Sequence, residues 1–155
     1  YDNMNDWNYL GQHTVDFENT DILMSPSLVG MASATFRPFI SSAASLKSVY
    51  LQMNGKYVGR QYYDNTSSAD RSIPAYFVAD LSGGYEIPLV KRDSDRNGTS
   101  ALNVSFHVQN LLNRKYYADA WLWRAYFREE NAFYAETGIY PQAPVNFMVK
   151  VSWRF

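Results

Sequence analysis

Val145-Asn-Phe-Met-Val-Lys-Val-Ser-Trp-Arg-Phe155 ends the sequence, and its alternation governs how everything before it is read. The odd positions Val145, Phe147, Val149, Val151, Trp153 and Phe155 are all apolar. Asn146, Lys150, Ser152 and Arg154 are polar, and only Met148 breaks the pattern. Side chains alternate across a strand, so this segment has one wholly apolar face and one polar face. Its eleven residues also match the length that a tilted strand needs to cross a bilayer. Soluble chains usually let their last residues fray, whereas this one ends on aromatics. A core strand of a soluble sandwich alternates in the same way, so the rest of the chain has to separate the two.

The 155 residues are enough for one domain, and a net charge of -1 leaves no basic field for nucleic acid. With no cysteine, disulfide frameworks and thiolate chemistry are excluded. The unusual quantity is aromatic content, 17% with 13 Tyr, 9 Phe and 4 Trp. No apolar run approaches the ~18 residues of a membrane helix. A mean hydropathy of -0.37 looks soluble, but a membrane barrel has a polar lumen face on every strand and need not score as hydrophobic. Tyr1-Asp-Asn-Met-Asn-Asp6 lacks a charged-then-apolar signal region, which implies a removed signal or a longer parent chain.

Upstream, residues 1–20 read as loop. A period of two then places Ile22, Met24, Pro26, Leu28, Gly30, Ala32, Ala34 and Phe36 on one face. Pro26 lacks a ladder donor, so pairing is expected after it. Following a link at 38–45, Val49, Leu51, Met53, Gly55 and Tyr57 oppose Ser48, Tyr50, Gln52, Asn54 and Lys56. A polar loop, 59–73, leads to Pro74. There Ala75, Phe77, Ala79, Leu81, Gly83 and Tyr85 oppose Asp80, Ser82, Gly84 and Glu86. The charged 88–99 segment carries the turn signal Asn97-Gly98. Leu102, Val104, Phe106 and Val108 then oppose Asn103, Ser105, His107 and Gln109. Leu111 to Pro144 is the longest irregular stretch; Ala118 to Glu136 lacks Gly and Pro, which predicts a short helix stopped by Gly138 and Pro141.

Five alternating strands with connections of short, long, medium and long length fit a bacterial membrane barrel. Such barrels pair short periplasmic turns with longer extracellular loops. Tyr57, Tyr85, Trp153 and Phe155 fall near strand ends on the apolar face, where an interfacial aromatic girdle belongs. The expected fold is therefore all-β, an antiparallel transmembrane β-barrel segment of about five to six strands with one long, helix-bearing extracellular loop. Five strands do not close, because an open edge in lipid leaves backbone groups unpaired. The whole of 1–155 is thus expected to be the C-terminal portion of a larger barrel.

Several stretches, in order, resemble the C-terminal part of TonB-dependent outer-membrane receptors of the Bacteroidetes type. They are Thr20-Asp21-Ile22 to Ser25-Pro26, Lys56-Tyr57-Val58-Gly59-Arg60-Gln61-Tyr62 with Asp64-Asn65-Thr66, and Ala75-Tyr76-Phe77 to Asp80-Leu81. Asn110-Leu111-Leu112-Asn113 to Lys115-Tyr116, and Tyr140-Pro141-Gln142-Ala143 through Asn146-Phe147 to Phe155, complete the set. The resemblance implies a 22-stranded barrel plugged by an N-terminal domain, TonB as partner through a box ahead of the plug, and active uptake of a scarce nutrient. Among nutrients, an iron–siderophore complex ranks first, with haem, cobalamin or a glycan behind it. It also implies outer-membrane lipid as surroundings, a Gram-negative outer membrane as location, and no cofactor. Phe147, Val149, Val151, Trp153 and Phe155 resemble the signal read by the barrel-assembly machinery. The aromatic stretch Ala118 to Glu136 departs from the general pattern and leaves the ligand open.

No catalytic or metal-binding constellation stands out, and no enzyme is expected. His13 and His107 are the only histidines, and neither has ligand spacing. Ser105 and His107 share a polar strand face without an orienting partner, which reads as a lumenal pair rather than a hydrolase. Arg60, Tyr62, Tyr63 and Asp64 belong at the extracellular mouth, as ligand contacts or as rim-shaping groups. Trp121, Trp123, Arg124, Tyr126, Phe127 and Arg128 mix aromatics with Arg, which suits a flat or anionic ligand; the alternative is a loop burying its own aromatics. The competing functions are a structural or adhesive barrel without transport and a soluble β-sandwich binding module. A severed barrel wall is expected to expose Phe77, Leu81, Phe106, Phe147 and Trp153 and to associate in water.

Overall fold

The computed structural model describes residues 16–39, 46, 48–91, 99–127 and 132–155. Expectations for Trp7, Tyr9, His13, the Asn97-Gly98 turn, most of the 38–45 link and Arg128 lie outside the described residues. In chain order the strands are β1 (Val29–Phe36), β2 (Tyr50–Val58), β3 (Gln61–Tyr62), β4 (Ser72–Ile73), β5 (Tyr76–Lys91), β6 (Thr99–Gln109), β7 (Tyr117–Phe127), β8 (Ala132–Pro141) and β9 (Asn146–Arg154). One 3₁₀ turn spans Ala69–Arg71, and no α-helix occurs among the described residues. The chain is all-β and antiparallel throughout, and it divides into two units.

The first unit is residues 28–58, 76–115 and 143–155. It is a five-stranded meander in the order β1-β2-β5-β6-β9, so each strand neighbours the next strand of this unit in the sequence. Pairing in β1 starts at Val29, after Pro26 as anticipated. The register extends the alternation of single strands to the whole sheet. One row runs Phe36, Leu51, Gly83, Phe106, Val149; the next runs Ala34, Met53, Leu81, Val108, Phe147. Another joins Ile87, Leu102 and Trp153. Apart from Ser100 at one end, no residue on this face is more polar than tyrosine. The opposite face aligns Gln52 with Ser82 and His107, and places Asn103 against Ser152 and Ser105 against Lys150.

The apolar face is the exposed one. Phe147 is 83%, Val149 64% and Trp153 65% exposed, with Met53, Phe77 and Phe106 also open. Leu81, expected among them, is half-buried. Along β2 the apolar Leu51, Met53 and Tyr57 are exposed, while Gln52 and Asn54 on the polar side are half-buried. Of the five buried apolar residues described in this sheet, Val58, Tyr76, Val78 and Ala101 lie on the polar side and Ala79 on the apolar one. A soluble sheet with one covered face covers its apolar one; this sheet does the reverse. β1 and β9 are its open edges.

The sheet is also staggered. Val29 is level with Val58 and Tyr76, whereas Asn146 pairs with Gln109, one step beyond the Phe147–Val108–Leu81 row and so level with Asp80. Moving from Tyr76 to Asp80 is a slip of four residues across the five strands. With a rise of ~3.3 Å and a spacing of ~4.8 Å, the strands tilt about 35° from the normal to the line of their ends. Barrel strands tilt by about 35–45°.

The second unit is residues 1–27, 59–75 and 116–142. Here two expectations are corrected. The polar loop 59–73 contains the β3–β4 pair, Gln61 opposite Ile73 and Tyr62 opposite Ser72. Ala118 to Glu136 is not a helix: β7 and β8 form a long hairpin from Tyr117–Pro141 to Phe127–Ala132. Aromatic and β-branched side chains favour the extended backbone, and Gly138, read as a helix stop, lies inside β8 opposite Trp121. A Cβ at residue 138 would overlap the Trp121 indole. Glycine therefore gives the ring a flat seat across the strand pair.

Candidate functional site

Two turns with dense side-chain hydrogen bonding shape the connections of the long strands. In the first, Asp64 is the hub. Its Oδ1 accepts the Thr66 amide at 3.1 Å and the Thr66 hydroxyl at 2.6 Å, closing an Asx turn. Its Oδ2 meets Arg71 Nε at 2.6 Å and Arg124 Nη1 at 3.7 Å. The angle at Arg71 Nε makes that contact an ion pair rather than an aligned hydrogen bond. Arg71 is fixed a second time, because its Nη2 donates to Thr66 Oγ1 at 2.7 Å. The Asp64 side chain is only 14% exposed. Burial raises its pKa, but the Thr66 hydroxyl and amide and the Arg71 charge outweigh burial and hold the carboxyl below its ordinary value. Asn65 and Ser67 extend outward: Leu23 N donates to Asn65 Oδ1 and Asp21 N donates to Ser67 Oγ.

The mouth residues read from the sequence mostly serve this turn. The Tyr63 hydroxyl donates to Asp70 O at 2.9 Å and its amide to Arg71 O, and the Tyr62 carbonyl accepts Met24 N. Asp64 and Tyr63 are therefore both engaged in holding this turn together. Arg60 is exposed beside the buried Gln61.

The second turn is Asn110-Leu-Leu-Asn113. Asn110 has φ 51°, the left-handed region in which asparagine is better tolerated than most residues. It is 4% exposed, and its amide is fully used. Nδ2 donates to Arg114 O at 2.9 Å and Ala143 O at 3.0 Å, and Oδ1 accepts Arg114 N at 2.8 Å. Asn113 Oδ1 accepts Val145 N, which ties the start of β9 to the same turn. This quartet is a structural clamp.

The aromatic stretch divides in two. The β7–β8 register puts Trp121, Trp123, Ala125 and Phe127 on one face with Tyr134, Glu136 and Tyr140. Arg124 and Tyr126 are on the other face with Thr137 and Ala135. The expected mixture of Trp and Arg as one ligand surface is corrected: strand alternation separates them, and Arg124 turns to Asp64. Trp121, Trp123, Tyr134 and Tyr140 are half exposed. Phe127 and Tyr134 meet edge to face at 5.0 Å. A hollow of about 530 Å³ is lined by Trp123, Phe127, Tyr134, Ala135 and Glu136. Sequence reading missed Tyr134, Glu136 and Tyr140, although their period of two was there to be found in 132–141.

On the polar face of the sheet, Ser105 Oγ and His107 Nε2 are 3.3 Å apart, as their spacing predicted. Among the described residues, no group of three His, Asp or Glu is placed to hold a metal. Of the expected assembly signal, Phe147, Val149, Val151 and Trp153 share the apolar face of the edge strand β9. The Phe155 ring packs on Trp153 with centroids 5.7 Å apart, and Trp153 Nε1 donates to Ser100 Oγ. Comparison with known families, curated proteins and solved structures returned no match.

Proposed function

We propose that the chain is part of the wall of an outer-membrane β-barrel receptor in a Gram-negative bacterium. In this reading the receptor takes up a scarce nutrient with energy delivered through TonB, an iron–siderophore complex being the first ligand class to test. The observation that supports the membrane part is the five-strand face that is apolar or aromatic apart from Ser100 at one end, with its large side chains exposed while the polar face of the central strands is the more covered one. Lipid gives such a face its solvent, and further strands on β1 and β9 give the two open edges their partners. The stagger supports the same arrangement, since a tilt of about 35° is what a closed barrel requires. Two further features fit. Tyr57 and Trp153 lie near opposite ends of the apolar band, and the longer connections 59–75 and 110–145 follow strands that end at the same side of the sheet.

Uptake and TonB coupling rest on the sequence resemblance. In cells expressing the gene, radiolabelled iron delivered as a ferric siderophore should accumulate, and deletion of TonB or a protonophore should abolish it. Outer-membrane location with no TonB-dependent accumulation of any candidate nutrient would favour a structural or adhesive barrel instead.

A further inference from the structure

We propose that the Trp123 face of the β7–β8 hairpin is a binding site for a small organic cation of the quaternary-ammonium class. The inference goes beyond uptake, and it narrows the ligand only if the receptor reading holds. The hollow has a simple origin. Ala125 sits between Trp123 and Phe127 on the same strand face and directly opposite Tyr134. Its methyl is far smaller than the side chains that flank it on this face, which leaves room among the aromatic rings. Phe127 and Tyr134 stand perpendicular, at 90°, so the walls turn a corner. Glu136, directly across from Trp123, adds a carboxylate to the rim.

Charge selects the ligand. Among the hairpin's described residues, the carboxylates on this face are Asp119 and Glu136. Arg124, the only cation among the hairpin's described residues, is on the other face, 3.7 Å from the Asp64 carboxylate. Aromatic faces carry negative quadrupole potential and attract cations most strongly when water is displaced. Three rings and a carboxylate around about 530 Å³ therefore suit an alkylated ammonium group and disfavour an anion.

The test uses the full chain in a maltoside detergent, titrated with choline and with its neutral isostere 3,3-dimethylbutan-1-ol, read by calorimetry and tryptophan fluorescence. Choline should bind at least about tenfold more tightly than the alcohol, because shape is matched and only charge differs. Glu136→Gln should weaken choline several-fold and leave the alcohol unchanged. Ala125→Leu should abolish binding by crowding the space between the Trp123, Phe127 and Tyr134 rings, with near-UV circular dichroism confirming that the hairpin persists. Thr137→Ala, on the other face, should bind like the parent. Equal binding of choline and the alcohol, retention in Ala125→Leu, or no choline binding by the parent chain would each overturn the site and leave the barrel reading standing. Failure of TonB-dependent uptake would overturn the receptor reading and leave the site standing.

Discussion

Two adjacent residues of β9 test which side of the sheet meets lipid. Val149 is on the apolar face opposite Phe106, and Met148 is on the polar face opposite His107. From Val145 to Phe155 a strand tilted by about 35° climbs about 27 Å, close to the ~25 Å apolar band of an outer-membrane barrel. Lys150 is the midpoint of that span, so Val149 lies about 3 Å from the midplane. An arginine there should cost about 2–4 kcal/mol in folding into lipid, whereas one on the lumen side meets a polar interior and escapes that lipid-burial cost. In equilibrium terms the apolar-face variant should lose about thirty-fold to several hundred-fold. The assay dilutes the urea-solubilised chain into phosphatidylcholine vesicles and measures the vesicle-bound, urea-resistant fraction for parent, Val149→Arg and Met148→Arg. In detergent-free buffer the order should invert, Val149→Arg being the more soluble because it breaks the exposed patch. Equal losses at the two positions would refute the assignment of lipid to the Val149 face, as would a parent chain that is a well-behaved monomer in plain buffer.

Three further outcomes are expected. Asn110→Ala removes the partner that the buried amide gives to Arg114 N and Ala143 O and keeps a left-handed backbone, so urea denaturation in detergent should show a loss of about 1–3 kcal/mol; Asn110→Gly, which relieves only the backbone, should recover a minor part. The Asp64 carboxyl is held below its unfolded value, so its contribution is fully present above about pH 4 and is lost as pH falls through the folded value. Cleavage of 59–75 by pepsin should therefore rise on acidification below about pH 4, and Asp64→Asn should remove that dependence; an unchanged profile in the variant would refute it. Gly138→Ala should displace the Trp121 indole, with altered near-UV circular dichroism and a loss of about 1–3 kcal/mol in the parent. In a Trp121→Ala background the same change should be neutral or stabilising.

The sheet was legible because its period of two is unbroken on one face: a strand such as 102–108, Leu-Asn-Val-Ser-Phe-His-Val, has no competing period. The β7–β8 hairpin was not, and the cause is specific. Both of its faces carry large apolar residues, Trp121 and Trp123 on one and Leu122 and Tyr126 on the other, which blurs the alternation. Absence of Gly and Pro then argued for a helix, although aromatic content argued for a strand. Gly138 was read as a terminator because its role depends on a ring seventeen positions away that only pairing brings over it. Site residues followed the same division. Tyr63 and Asp64 were singled out by location and Thr66 is a local partner two residues on, but Arg71, which pairs with the Asp64 carboxylate, lies on the returning arm of a turn whose closure no local pattern announces. The ladder of Tyr134, Glu136 and Tyr140 was visible in principle and hidden by the helical reading.

The Asn110 clamp has an engineering consequence. One side chain grips Arg114, where the chain departs, and Ala143, where it comes back, so both ends of the intervening segment are pinned to fixed points. The hairpin closes itself again just inside, with Gln142 N donating to Tyr116 O. Residues 116–142 should therefore be exchangeable for another self-closing hairpin without rewriting any long strand, and new binding specificities in such a chain need only arrive as interchangeable inserts.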